Sequence, residues 1–361
     1  ALRETLRQQA FERASDFPTR HGRHLQSQHA RRHEPRQILV VDDGSTDRTL
    51  AVLEREFAGH PSVTIIAQPN RGKGAALNHA IRAAAHDIVV TVDADTIFAN
   101  GAIGYLARHF ADPEVGAVSG NAKVGNRRKW IPRFQSIEYV CGFNLDRRAL
   151  DLLNAITVVP GAIGAWRRDV LNELGGFGGD TLAEDADLTL AIRRLGYAIR
   201  YEENAIAYTE APETTRALAK QRFRWVFGTL QAAWKHRSAT LNPKCGFLGF
   251  VAMPNIWVFQ MLLAAISPFA EVAMLVGLFA GNWRTVLLYY FAFFLLELVT
   301  ALVAYGLEGE RPVDLLLFPL QRIYFRGLMQ YVLFKSLLQV VKGRVVGWGK
   351  LERTATVEQP S

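Results

Sequence analysis

The chain has 361 residues, enough for one large catalytic domain plus an appendage, and 49% of them are hydrophobic. Its formal net charge of +8 points to an anionic membrane face, a phosphorylated substrate or nucleic acid. The basic residues cluster in the first 40 positions and beside apolar stretches with no basic–aromatic binding face, so nucleic acid is the poorest of the three. Cys141 and Cys245 are the sole cysteines, with no CxxC and no Cys/His cluster, which argues against a disulfide framework or a zinc site.

Residues 1–36 are rich in Arg, His and Gln and show no core-forming pattern beyond a helical stretch near 1–14. His21, His24, His29 and His33 read as part of a solvated basic tail rather than as metal ligands. The start, Ala1-Leu2-Arg3-Glu4, has neither an initiator Met nor an apolar signal core, and reads as the beginning of a fragment. From 37 to 41 a continuous apolar run ends in Asp42-Asp43-Gly44-Ser45, the pattern of a strand buried on both faces. Thr46-Asp47 can cap a helix over 48–57. A second strand is expected over 62–66, an Ala-rich helix from Gly72 to about Ala85, and a third strand over 87–92, ending in Asp93-Ala94-Asp95. Such strand–helix alternation implies a parallel sheet, with ligands bound outside the carboxyl ends of its strands, where both Asp clusters fall. Further on, 115–123 reads as a strand, and 130–150, 185–195 and 214–237 as helices.

Between Gly246 and Ala280, Glu271 is nearly alone among charged residues. The stretch exceeds one crossing of about 20 residues. It divides into an interfacial piece near 246–254 and a crossing near 256–280. A second crossing is expected at 286–305, around Glu297. The third apolar stretch, 313–341, carries Arg322, Arg326 and Lys335, so it either lies in the interface or packs against protein. Lys235, His236, Arg237 and Lys244 on one flank, and Lys342, Arg344, Lys350 and Arg353 on the other, place both flanks in the cytosol and favour two crossings over three. The expected organisation is a basic segment 1–36, a catalytic domain 37–240, a membrane region 246–345 and a cytosolic tail 346–361.

Four blocks carry the chemistry. The carboxylates Asp93 and Asp95 can serve a hard divalent cation and a sugar hydroxyl, or simply form an acidic loop. Asp42-Asp43 after a buried strand has the same two readings. Gly72-Lys73-Gly74 opens a helix, where backbone amides and a Lys favour phosphate, though a plain glycine turn reads alike and the Walker spacing is absent. Glu184-Asp185 can supply a general base or answer a helix dipole. Gln221-Arg222-Phe223-Arg224-Trp225 offers arginines to clamp a diphosphate and an aromatic to stack on a sugar, or a juxtamembrane basic helix with a buried Trp. Together they are the parts needed to move a group off a nucleotide diphosphate.

In that order the blocks resemble the processive family 2 glycosyltransferases, a group that includes poly-N-acetylglucosamine, chitin, hyaluronan and cellulose synthases. The resemblance runs through VVDDGSTD, NRGKGAALNHAI, VDADT, PGAIGAWRRDVL, LAEDADLTLAIRRLGY and QRFRW, and into MPNIWVFQ, QRIYFRGLM and GWGKLERT, covering nearly everything after residue 36. It implies an α/β GT-A fold with a Rossmann-like mixed sheet, followed by transmembrane helices. It also implies an inverting hexosyltransferase at the plasma membrane, multi-pass with a cytosolic catalytic domain, that extends a β-linked polysaccharide from UDP-N-acetylglucosamine or a similar sugar. By this resemblance Asp42 and Asp43 contact uracil and ribose, and Lys73 the nucleotide. Asp95, assisted by Asp93, binds Mg2+ or Mn2+, and Asp185 is the base, next to Glu184. Gln221, Arg222, Arg224 and Trp225 hold diphosphate and acceptor, and Gly161 and Ala162 border the acceptor sugar. The implied partners are the UDP-sugar, the growing polymer, the bilayer, and a small membrane subunit or a polysaccharide deacetylase; nucleic acid is not among them. Two departures stand out. Ala183 occupies the place of the usual Thr before Glu-Asp, and nothing in 1–36 resembles the family's opening Val-Ile-Ile-Pro-Ala-Tyr-Asn-Glu strand. A single-sugar transferase to a lipid acceptor is the alternative enzyme, and the missing strand makes a truncated, inactive membrane scaffold the other alternative expectation.

Overall fold

The computed structural model describes residues 37–341; the basic segment 1–36, expected to lack the family's opening strand, and residues 342–361, with the tail expected from 346, lie outside the described residues. The order is β1 (Ile38–Asp43), α1 (Thr49–Phe57), β2 (Val63–Gln68), α2 (Lys73–Ala83), β3 (Ile88–Thr91), β4 (Thr96–Phe98), α3 (Ala102–Ala107), β5 (Val115–Val124), α4 (Trp130–Glu138), α5 (Leu145–Leu152), β6 (Gly164–Arg167), α6 (Arg168–Leu174), α7 (Glu184–Arg194), β7 (Ala198–Thr209) and α8 (Thr215–Lys235). The apolar helices α9 (Ala264–Phe279), α10 (Trp283–Glu308) and α11 (Phe318–Val341) follow.

The expected parallel sheet is replaced by two sheets. β1 and β2 pair in parallel by themselves, while a mixed sheet runs β3-β6-β5-β7-β4. In it β6 is antiparallel to β3 and β5, and β7 runs parallel to β5. The apolar side chains of β1 are only half-buried, against the expectation of a strand covered on both faces. Among the described residues β1 has one hydrogen-bonded neighbour, and Leu53 and Phe57 of α1 form the small core beside it. Every residue of β5 is buried, as befits the centre of the larger sheet. The small sheet is nevertheless tied at both ends. Gln37 bonds the turn before β3 through Ala83 and Ala85, and Asp43 accepts from the amides of Arg71 and Gly72.

The remaining expectations shift by a few residues, with two substantive differences. The helix foreseen over 130–150 contains a π-turn, Tyr139–Asn144, between α4 and α5. And β7, twelve residues with charges at Arg200, Glu202 and Glu203, is a strand that alternation does not announce. Glu202 is buried there because Arg108, His109 and Asn204 bond its carboxylate, which they hold down at about 2.

Leu248–Phe279 and Trp283–Glu308 are long and apolar enough to cross a membrane. The interfacial piece and first crossing expected as separate units are one continuous helical stretch. Its beginning, at Leu248, Ala252, Met253, Ile256 and Met261, is buried against α7 and α8, and the side chains from Leu262 to Phe279 are exposed or half-buried. The third stretch packs against protein. Tyr324 bonds Thr215 at the start of α8, Phe325 joins Leu218, and Lys335 lies over the ring of Phe223 at 5.3 Å. Its arginines pair with the acids of the two apolar helices, Arg322 with Glu297 and Arg326 with Glu271. Paired charges of this kind are what an apolar surrounding tolerates.

The end of α10 is fastened to the central strand. Glu308, 1% exposed, faces Lys123 at 3.3 Å, Arg148 at 2.8 Å and Asn121 at 2.7 Å, while Glu310 takes Lys123 and Arg127. Removing one carboxylate leaves buried cations short of a partner. Each cation keeps a second acid, Glu310 for Lys123 and Glu203 for Arg148. Glu308→Leu is therefore expected to cost about 3 kcal/mol, the low end for a broken buried pair. Thermal unfolding of the purified protein in detergent measures it; an unchanged midpoint would show that the latch carries no stability.

Candidate active site

Four chain segments meet at Lys73. Asp43 accepts from Gln68, from the amide of Arg71 at 2.8 Å and from that of Gly72 at 2.9 Å, and so fixes the loop that delivers Lys73 to the first turn of α2. The Lys73 ammonium lies 2.6 Å from Asp93, just beyond β3, and 3.7 Å from Glu184, at the start of α7. The loop before β6 closes the group. A Cβ added at Gly161 would fall 2.5 Å from Lys73 Nζ and 3.4 Å from Asp93 Oδ1, so this position admits only hydrogen while that ion pair stands. The loop is held in turn by Thr189, whose hydroxyl donates to the Asp185 carbonyl and accepts from the amide of Val159.

The charges in this group shape one another. Burial alone would push the Lys73 ammonium down, but Asp93, Glu184 and Asp185 outweigh it and raise its pKa. Glu184 is pushed up to about 7 by burial and by the adjacent Asp185, against the pull of Lys73. Asp185, also raised by burial, is restrained by Lys73 and by the amide of Ala186, which donates to it at 2.9 Å. Burial thereby makes the Asp185 carboxylate a better proton acceptor than an exposed one.

The other expected residues divide. Asp42 is buried and accepts from the amide of Ser45, turning the end of β1. Asp95 accepts from Thr96 and, across the β4–β7 pair, from Thr209 at 3.4 Å. Ala162 is buried in the main core next to Ile163. Gln221 is buried on α8, and Trp225 is half-buried against the same core as Ala162. Arg224 is likewise half-buried. Arg222 departs most from expectation. Its side chain is 1% exposed and pairs with Glu138 of α4, so it meets protein rather than solvent. Among the described residues no three His, Cys, Asp or Glu side chains converge to hold a metal by themselves.

Three contributors escape the sequence motifs. Gly228 lets α8 lie against the block before Glu184, since a Cβ there would sit 2.5 Å from the amide of Ala183. Gln231 accepts from the amide of Leu182. Glu138 was legible as an acid isolated in the apolar run from Ile137 to Phe143, yet nothing in that run named its partner.

A family model described as "Glycosyltransferase like family 2" matches residues 13–228. The chain belongs to glycosyltransferase family 2. Poly-beta-1,6-N-acetyl-D-glucosamine synthase of Staphylococcus aureus (strain COL) is 30% identical to it over 239 residues, 65% of this chain and 58% of that protein. The synthase of the same name from Staphylococcus epidermidis is 30% identical over 210 residues, 58% of this chain and 51% of the relative. The chain thus spans somewhat over half the length of the relatives it matches. Among solved structures, the mannosyltransferase PcManGT from Pyrobaculum calidifontis, in complex with GDP-Man and Mn2+, superposes with a TM-score of 0.61 at 24% identity, covering 86% of this chain and 79% of that one. The glycosyltransferase therefore has the α/β GT-A architecture expected of it, with a mixed sheet and two apolar helices after the catalytic part.

Protonation links this site to stability. Glu138 and Glu184 both stand at about 7 in the fold against 4.5 when unfolded. Between those values the folded chain keeps protons that the unfolded chain has released, so both groups make stability fall as pH rises through that window. Glu184→Gln is expected to flatten the decline of the melting temperature between pH 4.5 and about 7; a slope equal to wild type would contradict the environment assigned to Glu184.

Proposed function

We propose that this family 2 glycosyltransferase is a membrane-bound, inverting enzyme that transfers N-acetylglucosamine, or a closely similar sugar, from its UDP donor to a growing β-linked polysaccharide. The observation that carries the reading is the convergence of Lys73, Asp93, Gly161, Glu184 and Asp185 at one edge of the sheet. The similarity to two poly-N-acetylglucosamine synthases supports the sugar and the polymer. The two long apolar helices support the membrane, and the basic residues Lys235, His236, Arg237 and Lys244 before the first of them support a cytosolic catalytic part.

Asp42 and Asp43 stand at the end of β1, where uracil and ribose bind. Lys73 meets the donor's phosphates, exchanging part of its pairing with Asp93 for theirs. Asp93 and Asp95 suit a Mg2+ or Mn2+ ion, which commonly takes one or two carboxylates and completes its shell with phosphate oxygens and water. Such an ion, held there, would neutralise charge on the departing diphosphate. Arg224 adds a donor for the same diphosphate, and Trp225 offers a face to the acceptor sugar beside Gly161. Asp185 takes the proton of the acceptor hydroxyl. The hydroxyl oxygen bonds to the anomeric carbon from the side opposite the phosphate, the carbon–oxygen bond to the diphosphate breaks, and UDP leaves.

Asp185→Asn removes the base and is expected to lower UDP release by about 10²–10⁴-fold while the protein still elutes as wild type does on gel filtration. UDP release is measured with UDP-N-acetylglucosamine and Mn2+, and the product is sized by mass spectrometry. Ladders of β-linked oligomers support polymerisation. Products bearing one added sugar would overturn it, and equal release by Asp185→Asn and wild type would overturn the assignment of the base.

A further inference from the structure

Arg222 sits in the middle of the block that faces diphosphate and acceptor, yet its guanidinium is buried and cannot meet a soluble ligand. Three observations locate its role. Its Nη2 pairs with Glu138, whereas its Nε and Nη1 have no hydrogen-bond partner. The guanidinium carbon lies 4.1 Å from the centre of the Trp225 ring and 5.4 Å from that of Phe143, within cation–π range of both. Phe143 in turn meets Trp225 edge-on at 5.8 Å and Tyr139 at 5.1 Å. The guanidinium therefore uses one corner of its edge, at Glu138, and its planar face, against the two rings.

The backbone shows how this contact is made. Glu138 and Phe143 are five residues apart, which in a regular α-helix sets them about 140° apart around the axis. A π-turn closes with i→i+5 bonds and brings such a pair onto one face. The π-turn Tyr139–Asn144 begins directly after Glu138 and contains Phe143. The carboxylate and the ring thereby reach the same guanidinium.

We propose that Arg222 is a positioning residue: held by Glu138, it fixes the ring of Trp225 in the orientation that receives the acceptor sugar. The proposal rests on the reading of Trp225 as the acceptor-side aromatic. Lysine keeps the charge but has no plane to stack, and glutamine at 138 keeps the size but loses the charge that orients the guanidinium.

The test uses the full chain in detergent micelles, grown with 5-fluorotryptophan, with the Trp225 fluorine resonance assigned through Trp225→Phe. Arg222→Lys and Glu138→Gln are each expected to shift or broaden that resonance while those of Trp166 and Trp257 stay in place. With UDP-N-acetylglucosamine as donor, both variants are expected to raise the KM for an added oligosaccharide acceptor about tenfold and to leave the donor KM within about twofold. A Trp225 resonance unmoved in both variants overturns the proposal. So does a displaced ring with an unchanged acceptor KM, and so does a disturbance of all the tryptophans alike, which marks a pair that only supports the fold. Wild-type protein that releases no UDP defeats the transferase reading instead, and the fluorine spectra then still decide whether Arg222 orients Trp225.

Discussion

The pairing of Lys73 with the carboxylates around it is the constraint on which the site depends. One ammonium answers acids from the end of β3 and the start of α7, elements nearly a hundred residues apart in sequence. Without that cation the acids would repel one another in a partly buried space, and their ionised forms would lose their support. The surrounding features follow from it. Asp43 fixes the loop before Lys73, and a methyl group at position 161 would displace the ammonium from Asp93. The arrangement also poises the site for an anionic ligand. A diphosphate offers Lys73 charge that it otherwise takes from Asp93, so binding exchanges one set of pairings for another and leaves no charge uncompensated.

Helix α8 carries this site to the apolar part of the molecule. On one side Gly228 and Gln231 seat it against the residues before Glu184. On another, Thr215, Leu218 and Phe223 receive α11, and through Arg322 and Arg326 that helix binds the acids of α9 and α10. A second, independent attachment runs from Glu308 and Glu310 to the centre of the large sheet. The residues around Lys73 and the long apolar helices are thus joined by ion pairs and close packing rather than by a tether.

Much of this was legible in the residues. The runs ending in Asp43 and Asp93 announce the strands they form, and the Gly-Lys-Gly helix start and the Glu-Asp pair announce two of the segments that meet at Lys73. What stayed hidden depends on tertiary context. Local alternation shows that a segment is a strand but not which strand it joins, so the division into two sheets is not visible in β1 or β3 alone. β7 carries a buried glutamate whose charge is excused by His109 and Arg108 from elsewhere in the chain. The π-turn at 139–144 leaves no compositional trace. And Arg222, read from its motif as a ligand contact, is claimed by Glu138, an acid that sits 84 residues earlier.

The central claim is that Lys73 and the acids beside it form the seat of a metal-bound nucleotide diphosphate. Titration of Mn2+ into the purified chain, followed by electron paramagnetic resonance with and without UDP, tests it most directly. Two carboxylates hold such an ion weakly, and the diphosphate supplies the missing oxygens. UDP is therefore expected to tighten Mn2+ binding at least about tenfold, and Asp95→Ala to abolish that gain. Mn2+ binding that is indifferent to UDP and to Asp95 would contradict the account.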